Sequence, residues 1–276
     1  MERHFSDLQL LKLGGSLITD KSKAHTPHPE VIRRLAEEIA EAKRQNAALQ
    51  LIVGNGAGSF GHVPAKHYGT REGVHTAAEW RGFVEVWREA RVLNQIVMEI
   101  LWERELPAMV FSPSASVTSD DGRILTWNLE PIKTALEAGL LPVIHGDVAF
   151  DVRRGGTILS TEDLFAHLAQ RLRPKRILLA GIEAGVWADY PACTRLMAEI
   201  TPVDWEAVAA SLGGSAGTDV TGGMASKVRQ SLELVKEIPG LEVRIFSGEE
   251  EGLIRRALGG EEVGTLIRNG SGVPAD

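Results

Sequence analysis

The sequence predicts an α/β protein whose mostly parallel sheet is covered on both faces by helices. Two observations carry that expectation. Short, largely apolar runs recur at residues 8–13, 49–53, 141–145 and 176–180, as strands buried on both faces require. Between them lie longer segments whose apolar residues fall at helical spacing. The chain has 276 residues, 43% of them apolar, enough for one large domain or two modest ones.

Taken in order, the run at 8–13 enters a tight turn at Gly14-Gly15-Ser16. Residues 29–46 read as a helix, with Pro29 near its first position and Val31, Leu35, Ile39 and Ala42 on one stripe. The second strand, 49–53, runs into "GNGAGSFGH", which packs Gly54, Gly56, Gly58 and Gly61 into one bend ahead of His62. A long helix is expected over 77–105, stopped by Pro107, with Trp80, Phe83, Val84 and Trp87 at helical spacing. Strands follow at 108–111 and 141–145, then a hairpin over 147–160 turning at "RRGG". A helix over 161–172 leads to a strand over 176–180. The remainder reads as helix 203–212, a glycine-rich loop 213–223, helix 224–236, strand 243–246, helix 249–258, strand 265–267 and a loose tail from 270. The chain is expected to form a single domain over 1–276; a hinge between two lobes would fall near 172–174.

The net charge of −7 argues against general nucleic-acid binding, which needs a basic face, but leaves room for a local cationic pocket. The single cysteine, Cys193, cannot form an internal disulfide. The N-terminus has no apolar signal core, and no apolar stretch is long enough to cross a bilayer. A soluble, cytoplasmic protein with no membrane partner is expected.

Several places could carry chemistry. In "KLGGSLITDK", Lys12 lies in an apolar strand just before bare glycines, and Lys21 follows. A lysine there is costly without a partner, and Gly14 and Gly15 let N–H groups approach an anion closely. The bend at 54–62 is a second anion-binding candidate, with His62 where its N–H groups converge. His145-Gly146-Asp147 ends a buried strand, and Asp163 sits in the first turn of the next helix, where it is either a functional carboxylate or an N-terminal helix charge. Asp189 follows a strand end, and Lys227 lies one turn into a helix opened by Gly222 and Gly223. That last stretch lacks the Gly-Lys-Ser/Thr ending of a P-loop. Trp80, Phe83, Val84 and Trp87 either pack into the core or wall a pocket for an apolar substrate.

Together and in order, "KLGGSLITDK", "GSFGH" with "AKHYG", "HGDVAFD", "GVWADYP" and "TDVTGGMASKV" resemble the amino acid kinase superfamily, and within it the isopentenyl phosphate kinases. The resemblance implies a three-layer αβα sandwich with a mainly parallel central sheet. It also implies an acceptor-binding part at 1–172, a part at 173–276 that binds ATP with Mg²⁺, and a homodimer. By position, Lys12, Gly14, Gly15 and Ser16 would line the transferred phosphoryl group and Lys21 would stabilise the transition state. Gly58 and His62 would hold the acceptor, with Ala57, Gly61, Gly146 and Thr161 beside them. Asp163 would orient the lysines. Gly185, Asp189, Gly222, Gly223 and Lys227 would face the nucleotide, and Phe83 and Trp87 would wall the isoprenoid tail. The chain departs from the family loop at Asn55, where a histidine is usual, and at Ala57, where a glycine is usual. The stretch 160–163 also lacks an expected glycine.

The implied reaction is ATP-dependent phosphorylation of isopentenyl phosphate, with dimethylallyl phosphate as a second acceptor. A phosphate monoester has a second pKa of roughly 6, so the acceptor is already mostly dianionic and needs no strong base. The obstacle is repulsion between two anions, which fixed cations and aligned N–H donors relieve. Within the same fold, a phosphonate, UMP or a carboxylate could be the acceptor instead. Two other classes are open. Gly56-x-Gly58-x-x-Gly61 spells a dinucleotide fingerprint, with Glu79 at a distance suited to a ribose, and an ATP-binding sensor without turnover would keep the same anion sites.

Overall fold

The computed structural model describes residue 5, residues 7–212 and residues 223–270. Most of the glycine-rich loop expected at 213–223, Gly222 included, and the tail at 271–276 lie outside the described residues.

Strand β1 (Gln9–Leu13) is buried along its whole length and lies inside an eight-stranded sheet. On one side it pairs in parallel with β2 (Leu51–Asn55), which pairs with β6 (Leu141–His145), which pairs with the edge strand β3 (Ala108–Val110). On the other side it pairs in parallel with β9 (Arg176–Gly181), and β9 with β11 (Glu242–Ser247). Strand β12 (Thr265–Arg268) returns antiparallel to β11 and carries β10 (Glu199–Ile200) at the far edge. The register aligns Leu13 with Asn55 and Ala180, Asn55 with His145, and Ala180 with Phe246. The C-terminal ends of five parallel strands therefore share one rim, the place where open α/β sheets bind ligands.

Alternation along the strands separates two cores. Leu11, Leu13, Leu51 and Val53 face a layer made by α2 (Pro29–Gln45), α4 (Ala77–Glu103) and α9 (Leu253–Gly259). Leu10, Ile52 and Ile144 face the other layer, made by α5 (Glu130–Glu137), α6 (Thr161–Leu172), α7 (Trp205–Leu212) and α8 (Gly223–Glu237). This is the expected αβα sandwich. No described helix is long and apolar enough to cross a membrane.

Several elements differ from the sequence expectation. The bend at 54–62 is half helix: α1 (Gly15–Ile18) and α3 (Gly58–Tyr68) start directly at the two glycine turns, and Pro64 is held inside α3. Helix α9 starts at Leu253, because Gly252 adopts a left-handed φ of 82° just before it. A second, four-stranded sheet, ordered β5-β4-β7-β8, was only half anticipated. The expected hairpin is present as β7 (Asp147–Asp151) and β8 (Gly155–Leu159), but β4 (Val117–Asp120) and β5 (Arg123–Trp127) are additional. Most of β5 faces solvent, so it carries no apolar run that could announce it.

The carboxylate of Asp151 joins the two hairpins of this sheet. It accepts N–H bonds from Asp121 (3.1 Å), Gly122 (2.8 Å), Arg153 (3.0 Å) and Arg154 (2.8 Å). Burial pushes its pKa up, but the backbone donors outweigh that and bring it down from 3.8 to about 2. A depressed carboxylate pKa stabilises the fold above 3.8 and loses that contribution as pH falls towards 2. Asp151→Asn should therefore lower stability at neutral pH by about 1 kcal/mol. In urea melts, the gap to wild type should shrink as the pH is lowered through 3.8 towards 2; a gap that keeps its neutral-pH size at pH 2 would contradict this role.

Candidate active site

Two backbone turns meet at the rim. A Cβ on Gly15 would lie 2.6 Å from the Gly58 nitrogen, and one on Gly56 would lie 2.9 Å from the Gly15 nitrogen. Gly58 has a φ of 51°, and the space beside it is filled by Thr19 Oγ1, 2.2 Å from where its Cβ would stand. The glycines after β1 and β2 are thus required first by each other: any side chain would push the turns apart. Thr19 locks the contact. Its hydroxyl donates to the Gly15 carbonyl (2.7 Å) and accepts from Ser59 N–H (2.9 Å). Two amides expected to face an anion are engaged elsewhere, Gly14 N–H with Ala180 O (2.8 Å) and Gly56 N–H with Leu13 O (3.1 Å).

A cleft opens over these turns. Lys12, Gly14, Gly15, Ser16, Lys21, Ala57, Gly58, Gly61, His62, Gly146, Thr161 and Lys227 all line it. The first turns of α1, α3, α6 and α8 border the same space, and helix N-termini favour anions through their unpaired N–H groups. The cleft is polar at this centre and apolar at both ends. Ala65, Val86, Ala90 and Ile158 lie towards the α3–α4 side, while Leu179, Ile182, Met224, Ile245 and Phe246 lie towards β9, β11 and α8.

The buried ammonium of Lys12 is paired with the carboxylate of Glu162. Burial pushes the Glu162 carboxyl up, but Lys12 and then Lys227 beside it outweigh that and hold it below the ordinary carboxylate value. One partly buried carboxylate thus pairs with Lys12 and feels the charge of Lys227. Asp163, expected to orient them, turns away. It forms a capping box with Ser160, accepting from its N–H (2.8 Å) and hydroxyl (2.7 Å), and pairs with Arg71 (3.2 Å), which lines the cleft. The signal was present in the sequence: Ser-x-x-Asp ahead of an apolar run is a capping box, which leaves Glu162 as the available acid.

Other expected site residues lie apart from the cleft. Phe83 is buried in a cluster with Ala65, Val74, Val86 and Val148, and Trp87 packs against that cluster beneath the Arg91 guanidinium. Val86 and Ala90 of the same helix face the cleft instead. Asp189 closes its own loop by accepting from the N–H groups of Thr194 (3.2 Å) and Arg195 (3.1 Å). Gly185 packs on β12, where a Cβ would lie 2.5 Å from Thr265 Oγ1. Gly223, at φ 63°, heads α8 and so helps aim Met224 and Lys227. Asp147 also borders the cleft. It accepts from Val148 N–H (2.8 Å) and Ser114 N–H (3.2 Å), and burial pushes its carboxyl above the ordinary value. Glu79, the candidate ribose ligand, accepts instead from the N–H groups of His75 (2.7 Å) and Thr76 (2.8 Å) as part of a helix cap. The dinucleotide reading loses its acidic partner with it.

The sequence profile of the amino acid kinase family matches residues 7–247. The chain belongs to the amino acid kinase family. It is 35% identical over 268 residues to an isopentenyl phosphate kinase from Methanothermobacter thermautotrophicus, covering 94% of this chain and 98% of that one. It is 36% identical over 264 residues to an isopentenyl phosphate kinase from Haloferax volcanii, covering 95% and 98%. An X-ray structure of isopentenyl phosphate kinase matches with a TM-score of 0.80 at 31% identity, over 94% of this chain and 99% of that one. Kinase chemistry therefore belongs with this fold, and the cleft holds the cations it needs.

Its pairing with Lys12, within electrostatic reach of Lys227, distinguishes Glu162 from its neighbour. Glu162→Gln should cut turnover by about tenfold or more and, by leaving the buried Lys12 ammonium without its partner, lower thermal stability as well. Asp163→Ala should lower stability by about 1 kcal/mol through the lost cap without that loss of turnover. Steady-state kinetics and thermal melts on both variants check this; the reverse pattern in turnover would return the orienting role to Asp163.

Proposed function

We propose that this protein transfers the terminal phosphoryl group of ATP to isopentenyl phosphate, giving the diphosphate, and accepts dimethylallyl phosphate as well. The observation that carries the reading is the juxtaposition, in one cleft, of a cationic centre and a short apolar recess beside His62. A phosphate needs the first and a five-carbon hydrocarbon tail needs the second. The names of the full-length relatives support the same acceptor.

In this mechanism His62 and the first turn of α3 hold the acceptor phosphate. Lys12 and Lys227, kept in place by Glu162, draw charge from the phosphates of ATP, and Lys21 contributes as charge develops in the transition state. The acceptor is bound by residues of 1–172. The nucleotide lies over Leu179, Ile182, Met224, Lys227 and Phe246, all from 173–276. Among the described residues no three His, Cys, Asp or Glu side chains converge to hold a metal. Mg²⁺ would accompany the ATP phosphates, whose charge it neutralises. The protein is further taken to act in the cytoplasm as a homodimer; the sheet edge at β3, flanked by exposed Trp102, Met109 and Val110, is a surface a second copy would cover.

An ADP-release assay across isopentenyl phosphate, dimethylallyl phosphate, fosfomycin, UMP and N-acetylglutamate tests the reading. The two prenyl phosphates should give kcat/KM at least about tenfold above the others. A preference for fosfomycin or UMP would change the acceptor, and no ADP release with any acceptor would leave a sensor. In the same assay Val86→Ala should open the recess to longer prenyl phosphates. Phe83→Ala should cost about 3 kcal/mol of stability without that gain.

A further inference from the structure

Residues 19–28 form a hairpin that carries Lys21 over the mouth of the cleft. Its base is firm. Thr19 bridges Pro27 in antiparallel fashion, Asp20 N–H donates to Thr26 O (2.9 Å), and His28 N–H donates to Ile18 O (2.8 Å). Its tip is turned by the Asp20 carboxylate, which accepts from the N–H (2.8 Å) and hydroxyl (2.6 Å) of Ser22. Residues 21–25 are exposed. Thr26 N–H reaches Ser59 Oγ of α3 (3.4 Å), and His25 fastens the exposed tip to the walls of the cleft.

His25 has a φ of 53°, a conformation that a residue with a Cβ keeps where its surroundings hold it. Its Nδ1 lies 2.8 Å from Glu89 Oε2, a charge-paired contact when the imidazole is protonated. Its ring also stands edge-on to Phe60, with centroids 5.4 Å apart at 77°. Glu89 sits on α4 between Val86 and Ala90, which wall the apolar recess, and Phe60 immediately precedes Gly61 and His62. One residue at the tip of the hairpin therefore touches both elements that shape the acceptor pocket. We propose that His25 and Glu89 form a latch that holds the Lys21 hairpin closed over that pocket, and that both are positioning residues for Lys21. The positioning of Lys21 for catalysis rests on the kinase reading; the closure of the hairpin does not. The contact is half exposed, with His25 at 51% and Glu89 at 20%. Pairs of that kind are weak enough to break and re-form, which suits a strap that must lift to admit an acceptor.

Limited trypsin digestion reads the latch without substrate, because Lys21 and Lys23 both lie on the exposed tip. In wild type, Glu89→Ala, Glu89→Gln and His25→Ala, cleavage after these two lysines is followed by mass spectrometry, and kcat and KM are measured alongside. Glu89→Ala and His25→Ala should speed cleavage at Lys21 and Lys23 by about tenfold, with sites elsewhere unchanged. They should also lower kcat by about fivefold or more while leaving KM for ATP within about twofold. Glu89→Gln keeps an oxygen that can accept from His25 and should restore much of both. Unchanged cleavage in both alanine variants would overturn the latch. Faster cleavage with unchanged kcat would overturn the positioning of Lys21. A wild-type protein that releases no ADP with any acceptor would sink the kinase reading, while the cleavage result would still judge the closure.

Discussion

The site depends on a backbone-to-backbone contact between two turns. Gly15 and Gly58 approach so closely that a Cβ on the first would strike the amide of the second. Because β1 and β2 are paired in register, that contact fixes where the helices leaving the strands begin. Helix α1 starts at Gly15 and α3 at Gly58, so their first turns face one space. Larger residues would force the two helices apart and carry the Lys12 and His62 ends of the cleft with them. The glycines that look like phosphate-binding ornaments are, in the first place, the reason the two walls can meet.

Electrostatics supply the second constraint. A buried lysine is costly alone, and two cations facing one cleft repel each other. Glu162 resolves both problems from the first turn of α6, where a negative charge also sits well against the helix dipole. The result is a centre held ready for anions before any arrives. Such preorganisation is what a transfer between two phosphates needs, since the barrier is mutual repulsion rather than a missing base.

The sequence made most of the central sheet legible because its inner strands are buried on both faces and read as largely apolar runs, whereas the two-residue edge strand β10 left no such run. It hid β5, whose side chains mostly face water, and α5, a short helix. Lys12 could be picked out because it lies in an apolar strand just before a glycine turn, and Lys21, His62 and Lys227 because each follows one. The choice between Glu162 and Asp163 turned on a cap, since the two acids are neighbours and only the one at the third helical position can bond back to Ser160. Phe83 and Val86 lie nearly one turn apart on α4, so helical spacing alone could not say which faced the core and which the cleft. The His25–Glu89 contact joins residues far apart in the sequence and left no local pattern at all.

The most direct measurement is a crystal structure with isopentenyl phosphate and a non-hydrolysable ATP analogue bound together. The acceptor phosphate should rest on the first turn of α3 beside His62, and the terminal phosphoryl should face it within reach of the ammonium groups of Lys12, Lys21 and Lys227. Phosphates bound elsewhere, or lysines 12 and 21 directed away from the terminal phosphoryl, would contradict a site built to bring two anions together.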